Sequence, residues 1–182
     1  LVPRMFSFNN PFGACPACSG LGYLLKADPD RIIKDPKKSL NGGAITVSGW
    51  NSEKSGTTAS AVFEALANKY DFDLDTPVKD LPKSAVDKIL YGTGSDKIRV
   101  IQRRPNGRKV DYVTSFEGIA NNIERRYEET TSLWMRIELE GYMSNRECPE
   151  CRGARLKKES LAVTINDKSI YDVCCLSVSE AD

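Results

Sequence analysis

Two copies of one short pattern stand near opposite ends of this chain. The first is Cys15-Pro16-Ala17-Cys18-Ser19-Gly20 and the second is Cys148-Pro149-Glu150-Cys151-Arg152-Gly153. Each reads C-P-x-C-x-G. Two residues between the cysteines let the backbone turn once and aim both sulfurs at one point, with N–H groups of the turn facing the thiolates. The glycine that follows permits a positive φ or a close backbone approach. Two such knuckles supply four sulfurs, which suits one tetrahedral Zn²⁺ at Zn–S distances of about 2.3 Å. The chain has no histidine, so a mixed Cys/His shell is not available to it. The pattern therefore predicts a single zinc ion held by Cys15, Cys18, Cys148 and Cys151, with the intervening chain inserted as a domain on a metal-locked base. A thioredoxin-type redox dithiol would not need two matching pairs. Secreted disulfides are disfavoured by the lack of a signal peptide and of a dense cysteine framework. Cys174 and Cys175 lie in the apolar run Val173–Leu176 and read as core or edge residues of a strand.

A chain of 182 residues, 40% hydrophobic and 28% charged, has the composition of a soluble globular protein of one or two domains. No apolar run approaches the ~20 residues that would cross a bilayer, so no membrane is expected. Reduced cysteines and the absence of a signal point to the cytoplasm. Leu1-Val2-Pro3-Arg4 matches a thrombin recognition site and is left out of the fold reading. The net charge is +1, and four zinc thiolates with their metal would lower it by two. Attraction for a polyanion must then come from a local patch rather than from the whole chain.

Coarse periodicity sets the organisation. A short helix is expected near Asp30–Ile33 and a strand fragment at Ala44–Val47. Val62, Phe63, Leu66 and Ala67 repeat at helical spacing over Ala59–Tyr70, as do Val86, Ile89 and Leu90 over Ser84–Tyr91, where Gly92 is a natural stop. Alternation over Lys97–Val113, with Asn106-Gly107 as a two-residue turn signal, predicts a β-hairpin. Phe116 to about Asn145 reads as a long helical stretch, broken near Thr130–Ser132, with Ile119, Ile123, Tyr127, Leu133, Ile137 and Tyr142 as its apolar positions. Ser160–Ile165 reads as a strand, Asn166-Asp167-Lys168 as a turn, and Ser169–Val173 as its return. Three phenylalanines, Phe6, Phe8 and Phe12, are placed to pack around the first knuckle.

Catalysis finds little support. Gly92-Thr93-Gly94-Ser95-Asp96-Lys97 lacks the spacing of a phosphate-binding P-loop, and without histidine there is no Ser-His-Asp triad. The chain is read as non-enzymatic. Its cations are more informative. Six of them, Lys97, Arg99, Arg103, Arg104, Arg108 and Lys109, fall between Asp96 and Asp111 and give the hairpin a local charge of about +4, suited to phosphate contacts. Arg155, Lys157 and Lys158, with Arg152, make a second cluster beside the second knuckle, and Arg155, Lys157 and Lys158 join the hairpin cations as candidate DNA-binding residues. Solvated surface charge is the plain alternative for both clusters. Arg125-Arg126, beside Glu124, Glu128 and Glu129, reads as a salt-bridged helix face.

Longer motifs add a family. FSFNNPFGACPACSGLG (Phe6–Gly22), Asp28-Pro29, Gly42–Ile45 before Trp50, Tyr91-Gly92, Phe116–Gly118, Ile123–Tyr127 and CPECRGARLKKESLAV (Cys148–Val163) resemble, in order and over essentially the whole chain, the UvrA family of bacterial nucleotide excision repair. The resemblance implies a large cytoplasmic, homodimeric parent with two ATP-binding-cassette halves. That parent would recognise damaged double-stranded DNA and work with UvrB. Its phosphate-binding and signature motifs would lie before and after this segment, so ATP belongs to the parent alone. Residues 1–27 and 146–182 would be the two halves of a zinc module, the second leading into the signature region, and 28–145 an insertion domain that binds DNA or gates access to it. The family's ligand cysteines carry over to Cys15, Cys18, Cys148 and Cys151; individual DNA contacts do not carry over. The competing class is a DnaJ-type chaperone module, suggested by the CxxCxGxG at Cys15–Gly22, but such modules carry four copies close together and hold two ions. The expected fold class is α+β, mixed helices and a β-hairpin on a split four-cysteine base.

Overall fold

The structure is a computed structural model describing residues 2–51, 53, 56–103, 107 and 109–181, without the side chains of Arg103 and Ala181. In chain order its elements are β1 (Tyr23–Ala27), α1 (Pro29–Ile32), α2 (Thr58–Tyr70), α3 (Lys83–Tyr91), β2 (Lys97–Arg103), β3 (Lys109–Ser115), α4 (Ile119–Glu129) and α5 (Leu133–Glu140), followed by β4 (Met143–Glu147), α6 (Lys158–Leu161), β5 (Thr164–Ile165), β6 (Lys168–Ser169), α7 (Ile170–Cys174) and α8 (Val178–Ala181). The described strands pair two by two, β1 with β4, β2 with β3 and β5 with β6. The fold class is α+β. The chain forms two compact units, residues 1–26 with 145–182 and residues 27–144.

The unit 27–144 has a core of its own. Thr57 caps α2 by accepting the Ser60 N–H, and α2 buries Val62, Phe63 and Leu66. Ile98 and Val100 of β2 are buried, whereas Ile101, on the other face of the strand, is exposed. Period-two alternation thus gives the hairpin one apolar face, and β2 lies against α2. Trp50 stands edge-on to Phe63 and Phe116, at ring-centre distances of 6.2 and 5.1 Å. Its indole N–H donates to Asn122 Oδ1 at 2.9 Å, and the Asn122 amide donates to Glu117 Oε1 at 2.6 Å. A half-buried tryptophan keeps its N–H satisfied in this way. The ends of the unit are tied together: the Asp28 N–H donates to the Tyr142 carbonyl at 2.9 Å, and Arg31 to the Met143 carbonyl at 2.7 Å. Gly92, at the end of α3, and Gly118, before α4, both have φ +90 and touch backbone to backbone. A Cβ on Gly92 would enter the Phe116 carbonyl, and one on Gly118 the Gly92 amide.

Several local expectations give way to tertiary context. The segment Ala44–Val47 is no strand: Ile45 makes one isolated bridge to Ile33 while Ala44, Ile45 and Val47 are buried. The helical stretch ends at Glu140, not Asn145, because Met143–Glu147 pairs with β1. On α5 the expected apolar positions Leu133 and Ile137 are exposed, as is Trp134, and Leu139 is the buried one. Of the arginine pair, Arg125 bridges Glu117 and Glu129 at 2.8 Å each. Arg126 instead donates to the Ser48 carbonyl at 2.8 Å. The hairpin register sets Arg103 opposite Lys109 and Val100 opposite Tyr112. It leaves an odd number of residues between the paired ends, so the ladder does not have the even count of a two-residue turn; Asn106 itself lies outside the described residues.

After the second knuckle, Ser160 does not start a strand. Its hydroxyl donates to the Met5 carbonyl at 2.6 Å and its N–H to the Lys157 carbonyl at 3.1 Å, closing the turn of α6. The Asn166-Asp167 turn is present, with φ +52 and +61 and Ile165 opposite Lys168, the left-handed pair that a two-residue hairpin turn requires. Its return strand stops at Ser169, because Ser169 and Asp172 form a reciprocal capping box that starts α7. Cys174 and Cys175 are therefore exposed residues at the end of a helix, not residues of a strand.

Two outcomes follow. Phe63→Ala should cost about 3–5 kcal/mol, read as a lower denaturant midpoint with an unchanged slope. Glu117 is held below the usual carboxylate range by the Arg125 hydrogen bond, against the effect of burial and with help from Asn122. A depressed carboxyl stabilises above its unfolded value of about 4.3 and loses that contribution as pH falls through the folded one. Solvent screening keeps the effect small. Glu117→Gln should therefore flatten the acid limb of a stability–pH curve below about pH 4.3, and an unchanged limb would exclude this role.

Candidate metal centre and basic surfaces

The two knuckles are built alike. Ser19 and Arg152, one residue past the second cysteine of each, have φ +50 and +48; Gly20 and Gly153 follow at +80 and +79; Gly22 and Arg155 stand at +84 and +67. These left-handed residues curl the backbone so that N–H groups point at sulfur. The Gly22 N–H donates to Cys18 Sγ at 3.2 Å, and the Arg155 N–H does the same for Cys151. Each knuckle then closes on the other. The Cys15 N–H donates to the Arg155 carbonyl at 2.9 Å, and the Cys148 N–H to the Gly22 carbonyl at 3.0 Å. This reciprocal pair sets the two knuckles in a twofold-like arrangement.

The four cysteine sulfurs lie within 4.8 Å of one another, and all four residues are buried. Cys15 and Cys148 are 4.0 Å apart, Cys18 and Cys151 3.7 Å. A tetrahedron with Zn–S bonds of about 2.3 Å has S···S edges of about 3.8 Å, so the set fits one ion of that size. Ala154, Leu24 and Leu161 pack around it. Burial opposes the Cys18 thiolate, but the Gly22 N–H and hydrogen bonds from Cys151, Cys15 and Cys148 outweigh it and bring the thiol down to about 7. At Cys151 burial dominates and pushes the thiol up to about 12. Cys18 and Cys151 are thus pushed in opposite directions: the Cys18 thiolate gains from neighbouring donors, whereas Cys18 and the other sulfurs oppose charge on Cys151. A divalent cation in place of the thiol protons removes the conflict. The donor set therefore suits a single soft-ligand metal ion. Cys174 and Cys175 are not part of it.

The phenylalanines sit at the rim of this unit, not in its centre. Phe12 is 55% exposed beneath the Arg4 guanidinium, and Phe8 lies under Arg155, whose guanidinium carbon is 3.5 Å from the ring centre. Arg155 Nε also donates to the Gly20 carbonyl at 2.8 Å. That hold keeps a non-glycine residue at φ +67. Lys158 pairs with Glu150 at 2.8 Å, and Lys157 is half-buried beside Cys15. On the hairpin, Arg99 makes a bidentate pair with Asp111 at 2.9 and 2.8 Å, and Lys109 approaches the same carboxylate at 3.6 Å. Lys97 is exposed. Arg103 stands opposite Lys109 in the ladder, while Arg104 and Arg108 lie outside the described residues. Sequence reading missed Asp111 as the partner of Arg99; the strand register, had it been known, would have placed Asp111 diagonally across from Arg99.

Residues 28–141, which form most of the unit between the knuckles, match the model of the family described as UvrA DNA-binding domain. The chain belongs to that family. It is 46% identical to the UvrABC system protein A of Clostridium perfringens, over 99% of this chain and 19% of that protein. It is likewise 46% identical to that of Bacillus subtilis, over 100% of this chain and 19% of the relative. The chain thus spans about a fifth of the length of these curated relatives. Its fold is similar to that of UvrA2 from Deinococcus radiodurans, with a TM-score of 0.65 at 24% identity over 98% of this chain and 22% of that one. Within this UvrA-family chain, no described helix is long and apolar enough to cross a membrane.

The two knuckle glycines are expected to differ in tolerance. A Cβ at Gly20 would enter the Phe8 carbonyl, whereas one at Gly153 meets only the Tyr171 hydroxyl, at 3.7 Å. Gly20→Ala should strip most of the bound metal, and Gly153→Ala, strained only by its positive φ, should retain it. Elemental analysis of the purified variants, against a wild type expected near one ion per chain, is the check. Two ions in the wild type, or equal loss in both variants, would contradict the arrangement.

Proposed function

We propose that this chain is a zinc-anchored DNA-binding domain of a UvrA-type protein, holding DNA or gating access to it during damage recognition in nucleotide excision repair. The observation that carries the reading is the family match over 28–141, bracketed by a four-sulfur cluster assembled from both flanks. Residues 1–27 and 146–182 act as the two halves of the zinc module, and 28–145 as the insertion domain. The metal closes the base, while the insertion keeps its own core. The chain does no catalysis; ATP is hydrolysed elsewhere in the parent. The parent works in the cytoplasm as a homodimer, on damaged double-stranded DNA and with UvrB.

The hairpin would hold DNA through phosphate contacts. Such contacts carry no base information, which suits a protein that inspects any sequence. Asp111 already engages Arg99 and Lys109, so the contribution falls to Lys97, Arg103, Arg104 and Arg108. Neutralising about three phosphates gives a slope of log K against log[salt] of roughly −2.7. In the full-length protein, reversing Arg103, Arg104 and Arg108 to Glu should weaken binding to damaged duplex and make the salt slope shallower by about that amount. ATP hydrolysis without DNA should persist. Affinity and slope both at wild-type values would assign the hairpin charge to solvated surface.

A further inference from the structure

The two knuckles match in backbone but not in charge. Residues 5–25, which contain the first knuckle, have no acidic or basic side chain; Tyr23 and the two cysteines are their only titratable groups. Residues 148–159 carry Arg152, Arg155, Lys157 and Lys158 against Glu150 and Glu159, an excess of two positive charges. Four thiolates around one divalent ion leave an excess of two negative charges, buried where water screens them little. We propose that the cations of the second knuckle are the counter-charge of the metal–thiolate centre, with Lys157 as the principal positioning residue, and are not part of a DNA-binding surface. This inference rests on the zinc reading given above.

The geometry supports that assignment cation by cation. Arg155 offers its backbone N–H to Cys151 and its side chain to Phe8 and Gly20, so it braces the knuckle from both sides. Lys157 is fixed beside the first knuckle by its N–H, which donates to the Gly13 carbonyl at 2.8 Å, and by the bridge of Leu156 to Ala14. Lys157 lines two cavities that also include Cys15. One, of about 460 Å³, also includes Phe8 and Ser19; the other, of about 290 Å³, includes Glu150 and Lys158. Lys158 answers Glu150, the carboxylate lodged between the two cysteines of its own knuckle. Lys158 is three-quarters exposed, so its share is screened, whereas Lys157 is half-buried and keeps more of its effect.

The test is zinc affinity and the rate of zinc transfer to excess chelator, measured on the zinc-loaded chain at low and high salt. Lys157→Gln, Lys158→Gln and the double variant are compared with Lys157→Arg, which keeps the charge, and with Lys168→Gln, an equal charge loss at β6. The double variant should bind zinc about tenfold more weakly, the low end for outer-shell partners of a metal site. Lys157→Gln should carry most of that loss, and the gap should narrow at high salt. Lys157→Arg and Lys168→Gln should stay at wild type. Unchanged zinc affinity in the double variant overturns the proposal, as does an equal loss in Lys168→Gln. A drop in DNA affinity of the full-length protein carrying the double substitution, with zinc affinity intact, assigns the lysines to DNA instead. A wild-type chain that takes up no zinc overturns the metal reading and this inference with it.

Discussion

The reciprocal closure of the two knuckles is the constraint on which the rest depends. Cys15 and Cys148 are 133 residues apart, and joining the ends of a flexible loop of that length would cost about 4 kcal/mol or more in chain entropy. Zinc is worth about 10–16 kcal/mol to small domains that it folds, so an ion held by these four sulfurs would offset that cost alone. The unit 27–144 relieves it further. Its ends already meet through the Asp28–Tyr142 and Arg31–Met143 hydrogen bonds, so folding of that unit shortens the loop that the knuckles must close. What remains is local: two backbone hydrogen bonds, one from each knuckle to the other, and four sulfurs at tetrahedral spacing.

The apolar core of 27–144 includes none of the four knuckle cysteines. Phe63, Leu66, Ile89, Ile98, Ile119, Ile123 and Leu139 are fully buried in it, and Trp50 links the aromatic cluster to α4 through Asn122. Burial of side chains of this size contributes about 1.5–3 kcal/mol each. The unit that holds the four cysteines is different in kind. Its centre consists of Cys15, Cys18, Cys148, Cys151 and Ala154, with Leu24 and Leu161 at the edge. That is too little apolar surface to hold a fold unaided, which is why small domains so often rely on a metal.

Charge follows the same division of labour. Where the sequence shows runs of cations, the structure spends many of them internally. Arg99 is held by Asp111, Arg125 by Glu117 and Glu129, Arg126 by a carbonyl, Lys158 by Glu150, and Arg155 by a ring and a carbonyl. A count of basic residues along the chain overstates the positive surface on offer to a polyanion.

Much of the candidate site was legible in the chain alone, because its chemistry is local. The C-P-x-C-x-G repeat specifies the turn, the sulfur pair and the glycine that the turn needs. Apolar spacing located α2, α3 and the hairpin, and Asn166-Asp167-Lys168 marked a turn, which the structure tightens to the two left-handed residues Asn166 and Asp167 with Lys168 already in the return strand. Local sequence could not decide what depends on partners far away in the chain. Ser160 forms a helical turn because its hydroxyl reaches the Met5 carbonyl, and Met143–Glu147 is extended because β1 pairs with it. Leu133, Trp134 and Ile137 repeat like a core stripe, yet the packing of α4 on α5 buries Leu139 instead. Arg155 reads as a surface cation and is a strut, since Phe8 and Gly20 lie far from it in the chain but next to it in the fold. Periodicity and turn chemistry act within a few residues, whereas the role of a charge or an exposed apolar side chain is set by whatever the fold places within a few ångströms of it.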